Sequence, residues 1–422
     1  MATSDMDGPR RRISQAELDM ISQGHERFVS GKPGGRRLSL RFSDLSGLDL
    51  EGRELSEADF TGATFEGARM KGARLIRANL FGCCFRRADL RHALMTRADI
   101  RGATLRGANL SGADLTGADF REGQIAIPHP RKGLDSVRHE TRNGELDQAN
   151  FSGATLDGSN FAGVSAFAAD FTDCSLRGAK LAGANLKDAN LSGAILEDIE
   201  FTGANLAGAR LTGAVLKGID LASMKRLGAD VSTCLGDPTG AATLRADELL
   251  GRARANQRWV ESGGREQRPA QFDSEDLRPL GDRLRGFILT AMSAKGACLV
   301  GLDLSGAQLQ GANLEGADLR ATNLAGADLR GARLAGANLA KADLRKADLS
   351  DLPLPGGRMN PTQLTSSVLR YANLAGAELG GAVLDQTDLR GADLSGAHMK
   401  GASLKGADLA AVVGLDFNQQ AA

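Results

Sequence analysis

The side chains able to do chemistry are few and scattered. Of the five histidines (His25, His92, His129, His139 and His398), only His129 and His139 share a segment, ten positions apart with Glu140 beside the second. Two imidazoles and a carboxylate could hold a divalent metal, but the plain expectation is a solvated loop, and no metal or cofactor is assigned. The five cysteines, Cys83, Cys84, Cys174, Cys234 and Cys298, show no metal-ligand spacing. An odd, scattered set suits reduced thiols in a cytoplasmic protein. There is no phosphate-binding glycine loop, nucleophile elbow or dinucleotide fingerprint. Asp and Asn recur at one fixed place in a repeat, so their number is no sign of paired catalytic carboxylates. No catalytic residue is assigned, and a binding protein rather than an enzyme is expected.

The chemistry that the sequence does concentrate is cationic. Between Arg69 and Arg106 lie Arg69, Lys71, Arg74, Arg77, Arg86, Arg87, Arg91, Arg97, Arg101 and Arg106, opposed only by Asp89 and Asp99. Acids prevail before this stretch, from Leu40 to Glu66, and again from Leu146 to Leu221. Like charges held close together repel, so such a cluster suits an anionic partner: an acidic protein face, a nucleic acid or an anionic membrane surface. The candidate interaction surface is therefore Lys71, Arg74, Arg77, Arg86, Arg87, Arg91, Arg97, Arg101 and Arg106. His129, Arg131 and Lys132 are candidate contacts of a separate loop. Aromatic interleaving is absent, which argues against stacking of single-stranded nucleic acid.

What must position these residues is a five-residue beat. From Leu40 to Phe120 every fifth residue is apolar, and the beat returns from Leu146 to Leu221 and from Leu299 to Leu409. A period of five matches neither the helical 3.6 nor the strand 2. A short fixed repeat over most of a chain means a solenoid whose coils bury their inner faces by stacking. Two residues before each apolar centre, Ala58 to Ala118 is alanine at every step except Cys83, and the unit reads as in Ala108-Asn109-Leu110-Ser111-Gly112.

This A-(D/N)-L-x-G pattern resembles the pentapeptide-repeat family. The resemblance implies an all-β solenoid, a right-handed quadrilateral β-helix. In it four pentapeptides make one square coil, and the centre and the preceding small residue point inward. Residues i and i+20 then share a side, which stacks Lys71 under Arg91, Arg86 under Arg106 and Arg77 under Arg97. Cys83 and Cys174 fall in the small inward slot and are read as stand-ins for alanine. Some members of the family imitate duplex DNA and bind type II topoisomerases such as gyrase, which is the alternative to a general protein-binding scaffold.

The beat breaks in places that mark the organisation. Phe120 to Leu146 is not a multiple of five, so 123–145 leaves the coil as a loop. Pro353, Pro355, Gly356, Gly357 and Pro361 interrupt the last run, where Leu354 and Met359 keep the count. A distorted coil and an excursion of equal length are both open there.

Ser14-Gln15-Ala16-Glu17 is a capping box opening a helix with Leu18, Ile21 and Phe28 as its apolar face. Thr243 to Val260 reads as a second helix, with Leu244, Leu249, Leu250, Ala253 and Trp259 on its apolar side. The two helices end alike, at Arg27-Phe28-Val29 and Arg258-Trp259-Val260.

The expected organisation is two tandem modules, each with an N-terminal capping helix. Residues 1–37 form a tail and helix, and 38–222 the first β-helix. Residues 223–270 form a linker and helix, 271–411 the second β-helix, and 412–422 a C-terminal cap, tail or homodimer contact. Lys plus Arg equals Asp plus Glu at 52 each, so no globally charged partner is implied. No run of apolar residues is long enough to span a membrane, and no secretory leader is visible. A cytoplasmic, bacterial scaffold for protein–protein interaction is the expectation.

Overall fold

Within each five-residue unit the chain turns once. In the unit centred on Phe60, Ala63 N–H donates to Phe60 O at 2.8 Å, closing a turn over Thr61 and Gly62. Gly62 has φ +68, the left-handed geometry that favours glycine as the third residue of such a turn. The residue before the centre pairs in parallel with its counterpart twenty positions on, Asp59 with Asn79 and Asn79 with Asp99. Four turns therefore complete a coil. Because two of every five residues lie in a turn, the ladders between coils are single bridges rather than long strands.

The computed structural model describes residues 10–129 and 133–415, with side chains described outside 127–138. It divides into two compact units, Met1–Asp237 and Pro238–Ala422.

In unit 1 the inward positions are closed to water: Ala58, Phe60, Ala63, Phe65, Ala68 and Met70 are all fully buried. Phenylalanines one coil apart stack, Phe65 on Phe85 at 5.0 Å and Phe151 on Phe171 at 5.1 Å, both with rings 3° from parallel. Each such centre contributes about 1.5–3 kcal/mol by burial. Its small neighbour keeps the interior free of voids. Cys83 takes the alanine slot as expected, fully enclosed, with Sγ 3.0 Å from Phe60 O.

The unit opens with β1 (Arg11–Arg12), helix α1 (Gln15–Val29) and β2 (Ser43–Asp44), β1 pairing in parallel with β2. Ser14 Oγ accepts from Glu17 N–H at 3.2 Å, as a capping box requires. Leu18 enters the core with Leu38 and Leu40, whereas Phe28 stays 37% exposed. The buried polar residues of α1 are Ser22 and His25, neither of which the apolar pattern marked.

The segment after Phe120 is an antiparallel hairpin, β3 (Gly123–His129) with β4 (Gly133–Arg142). It lies back across earlier coils. Ile125 is buried, and a Cβ added at Gly82 would lie 2.7 Å from Ile125 Cδ1. Arg142 Nη1 donates to Gly82 O at 3.0 Å. Farther on, β5 (Ile195–Glu197) pairs with β6 (Val215–Lys217).

Leu221, counted as a repeat centre from the beat, instead starts helix α2 (Leu221–Arg226). Asp220 caps it through Ala222 and Ser223 N–H. The helix spans two sides of a coil and preserves the count, so Arg210 still pairs with Asp230 and Val215 with Leu235.

Unit 2 begins with α3 (Gly240–Leu244) and α4 (Ala246–Glu261), two helices where one was expected. Leu244 closes α3 and is 88% exposed, so it does not belong to the apolar face. Leu249, Leu250 and Ala253 do, and they pack on Phe272 and Leu277. The interrupted stretch is a short hairpin, β7 (Leu352–Leu354) with β8 (Arg358–Asn360). It is an excursion shorter than a coil: Arg333 pairs with Gln363, thirty positions on, so ten residues leave the stack. Leu354 and Met359 keep the count only by coincidence and are exposed. In the last coil Leu404, Leu409, Val412 and Val413 are half-buried, unlike the centres before them. Asp416 and Phe417, expected to join a terminal cap or dimer contact, lie outside the described residues.

Candidate functional site

The cationic stretch 69–106 covers nearly two coils, so its residues are shared among all four sides of unit 1. The sides are identified by their centres: Phe60 and Leu80 on the first, Phe65 and Phe85 on the second, Met70 and Leu90 on the third, Leu75 and Met95 on the fourth. Arg101 stands on the first side, Arg86 and Arg106 on the second, Arg69, Lys71 and Arg91 on the third, and Arg74 on the fourth. Arg87 is at the corner after the second side. Arg77 and Arg97 are at the corner after the fourth. The expected stacking holds, with Gly72 N–H donating to Arg91 O and Arg77 N–H to Thr96 O. The ten cations do not form one surface.

Most of them are also neutralised. Arg91 and Arg101 each grip the carboxylate two residues back, Asp89 at 2.6 Å and Asp99 at 2.8 Å. Arg74 reaches one coil back to Glu54 at 2.7 Å, and Arg69 pairs in the same way with Asp49. Arg87 meets Glu66 at 2.9 Å, and Arg106 meets Asp147 at 3.0 Å across the hairpin insertion. The excess of charge counted along the sequence is thus largely cancelled between coils. Hydrogen bonds to the guanidinium hold the Asp89 carboxyl below the usual range. Exposed pairs of this kind contribute little stability each.

The side chains left without an ion pair among the described residues are Lys71, Arg77, Arg86 and Arg97. Lys71 and Arg86 are on different sides. Arg86 lies half-buried, with its Nε enclosed and lacking a hydrogen-bond partner. Arg77 and Arg97 are exposed and share one corner, one coil apart. Both have left-handed backbones, φ +56 each.

The loop candidates separate from this group. His129 ends β3, with its side chain outside the description, and Arg131 and Lys132 lie outside the described residues. His139 pairs in the hairpin backbone with Ala126 and is exposed. No set of three His, Cys, Asp or Glu among the described residues could hold a metal. Burial pushes the Cys83 thiol up, away from nucleophilic use. The half-buried apolar residues Ile76 and Leu94, on the outer surface of the fourth side, went unnoticed in the sequence. Their signal was present, since each departs from the polar residues usual beside a centre.

Among known proteins, the model of the family described as pentapeptide repeats matches in eight copies, over residues 39–82, 83–121, 145–183, 184–221, 288–324, 312–351 and 372–410. No curated protein matches the sequence. Among solved structures, QnrB1, described as a plasmid-mediated fluoroquinolone resistance protein, is 23% identical. The match covers 51% of this chain and 98% of that one, with a TM-score of 0.24. HetL, a pentapeptide repeat protein involved in heterocyst differentiation regulation in the cyanobacterium Nostoc sp. strain PCC 7120, is 21% identical, covering 92% and 93% of the two chains at a TM-score of 0.13.

Proposed function

Because the chain belongs to the pentapeptide-repeat family, we propose that it is a non-catalytic binding protein, a rigid scaffold that presents a charge-patterned outer surface to another protein. In this reading the chain forms two tandem right-handed β-helical modules, with α1 and α4 covering the first coil of each. The observation that carries it is the filled interior. Before the last coil nearly all inward residues of the repeat are buried, which leaves recognition to the outward side chains and to the two hairpins. No described helix is long and apolar enough to cross a membrane.

The test is a pull-down from a bacterial lysate with the full chain, the Arg77→Glu/Arg97→Glu variant and a hairpin deletion. The deletion is 123–143, which returns Leu146 to five positions after Phe120. A protein retained by the parent chain and lost with either variant supports the scaffold and identifies the surface. Recovery of type II topoisomerase subunits would select the DNA-mimic alternative. Nucleic acid alone, lost on charge reversal, would replace the scaffold with nucleic-acid binding. A homodimer through the C-terminal coil belongs to the same proposal, and a monomer by sedimentation equilibrium removes it.

A further inference from the structure

The corner that carries Arg77 and Arg97 differs from the others near it. Nearby, a large residue in the left-handed turn position lies over a glycine one coil later: Phe42 over Gly62 and His92 over Gly112 at other corners, and Arg97 over Gly117 at this one. A Cβ at those glycines would come within 2.6, 2.6 and 3.4 Å of the side chain above. Arg77 has no such bed, because the residue one coil on is Arg97 and not glycine. Its side chain stands out to solvent beside a second unpaired arginine at about 4.8 Å coil spacing.

The acids nearby do not cancel the pair. Asp99 is held by Arg101, and Asp114 takes the Thr96 hydroxyl at 2.9 Å. Glu57 sits one coil before Arg77 on the same corner but forms no ion pair with it among the described residues. Two strained positions and a like-charge contact are kept where glycine would remove both costs. On the adjoining fourth side Ile76, next to Arg77, and Leu94, one coil on, are half-buried apolar residues facing outward.

We propose that this corner docks an acidic protein segment in which carboxylates alternate with apolar side chains. The carboxylates would lie against Arg77 and Arg97 and the apolar groups over Ile76 and Leu94. Two unpaired cations neutralise too few phosphates to hold a nucleic acid, and a phosphodiester chain offers nothing to cover Ile76 and Leu94. The proposal rests on the binding-scaffold reading and narrows it to one corner.

The experiment measures fluorescence anisotropy of three labelled probes on the full chain: a short peptide of alternating Glu and Leu, one of alternating Glu and Gly, and oligothymidylate. The variants are Arg77→Gly/Arg97→Gly, which relieves the left-handed backbone and so keeps the fold, and Lys71→Gln as a cation on another side. The parent chain should prefer the Glu–Leu peptide, with affinity falling as salt rises from about 50 to about 200 mM. The double glycine variant should lose about tenfold or more while its melting temperature holds or rises, and Lys71→Gln should change nothing. Equal affinity in the double variant, no binding of the Glu–Leu peptide by the parent chain, or preference for oligothymidylate overturns the proposal. If a pull-down partner is still retained by the double glycine variant, the scaffold stands and this corner is not its site.

Discussion

His25 Nδ1 accepts a hydrogen bond from Leu38 N–H at 3.0 Å, just as Asn256 Oδ1 accepts one from Ala270 N–H at 2.7 Å in the other unit. Each then donates hydrogen bonds to the carbonyls of a coil side, His25 Nε2–H to Ser56 O and Asn256 Nδ2–H to Ile288 O and Thr290 O. The two residues hold their own helix to their own first coil, one with a titratable ring and the other with an amide that cannot titrate. Accepting at Nδ1 also settles the tautomer, with the proton on Nε2.

That contrast makes unit 1 sensitive to acid. Burial holds His25 below the usual histidine range, so as pH falls the unfolded chain takes up the proton first. The contribution is complete above about pH 6.5 and is lost as pH falls through the lower, folded value. The urea midpoint of unit 1, followed by circular dichroism, should drop on going from about pH 7 to about pH 5. Trp259 and Tyr371 both lie in unit 2, so fluorescence follows that unit, whose midpoint should move less. His25→Asn should flatten the pH slope of unit 1, and an unchanged slope would refute the assignment.

The hairpin β3–β4 is held by Ile125 and Arg142 rather than by the coil's own ladder. Ile125→Ala should speed proteolytic cleavage within 123–142 severalfold, since loss of a buried isoleucine side chain costs about 2–5 kcal/mol. The melting temperature of the coils should barely shift. A general loss of stability would mean that the hairpin is part of the coil's cooperative core.

Glycines in the left-handed position are not equivalent. Gly72 and Gly112 have φ +64 and +67, but a Cβ at Gly72 meets nothing within 4 Å, whereas one at Gly112 meets His92 Nδ1 at 2.6 Å. Gly72→Ala should cost roughly 1 kcal/mol for the backbone alone. Gly112→Ala should cost more by the price of displacing His92, read as a larger drop in the urea midpoint. Equal losses would show that the ring moves aside freely.

Cys83 is closed in the core with its thiol pushed up by burial. Iodoacetamide at mildly alkaline pH should leave it unmodified in the folded chain and alkylate it in urea, as judged by mass spectrometry. Cys83→Ala should be nearly neutral, whereas Cys83→Leu should cost about 1–3 kcal/mol by overpacking. Rapid native alkylation would show that the coil opens there.

Much of the architecture was legible because the repeat ties sequence position to place. Leu80 follows Phe60 by twenty residues and lies one coil on, so stacking order could be counted. Counting failed where structure changed without changing the count. Leu221 keeps the beat while starting a helix, and Leu354 and Met359 keep it on a hairpin.

The charge reading failed for a related reason. Arg74 looks uncompensated among its sequence neighbours, yet its partner Glu54 is twenty positions earlier, and Arg106 finds Asp147 only because the hairpin places that residue one coil away. His25 was hidden because an apolar-face analysis passes over a polar residue. Aligning Arg27-Phe28-Val29 with Arg258-Trp259-Val260 would have set it beside Asn256.

The hairpins have a consequence for how such a chain can lengthen. Leu50 N–H reaches Arg69 O at 2.7 Å in an uninterrupted coil. Leu105 N–H reaches Glu145 O at 2.7 Å past the first hairpin, and Leu334 N–H reaches Gln363 O at 2.7 Å past the second. Extra residues leave and rejoin at a corner without stretching the bonds on either side. The corners are therefore grafting points, where a foreign segment of suitable end-to-end distance could be spliced in, so that new binding chemistry is acquired by insertion while the stack beneath it is inherited unchanged.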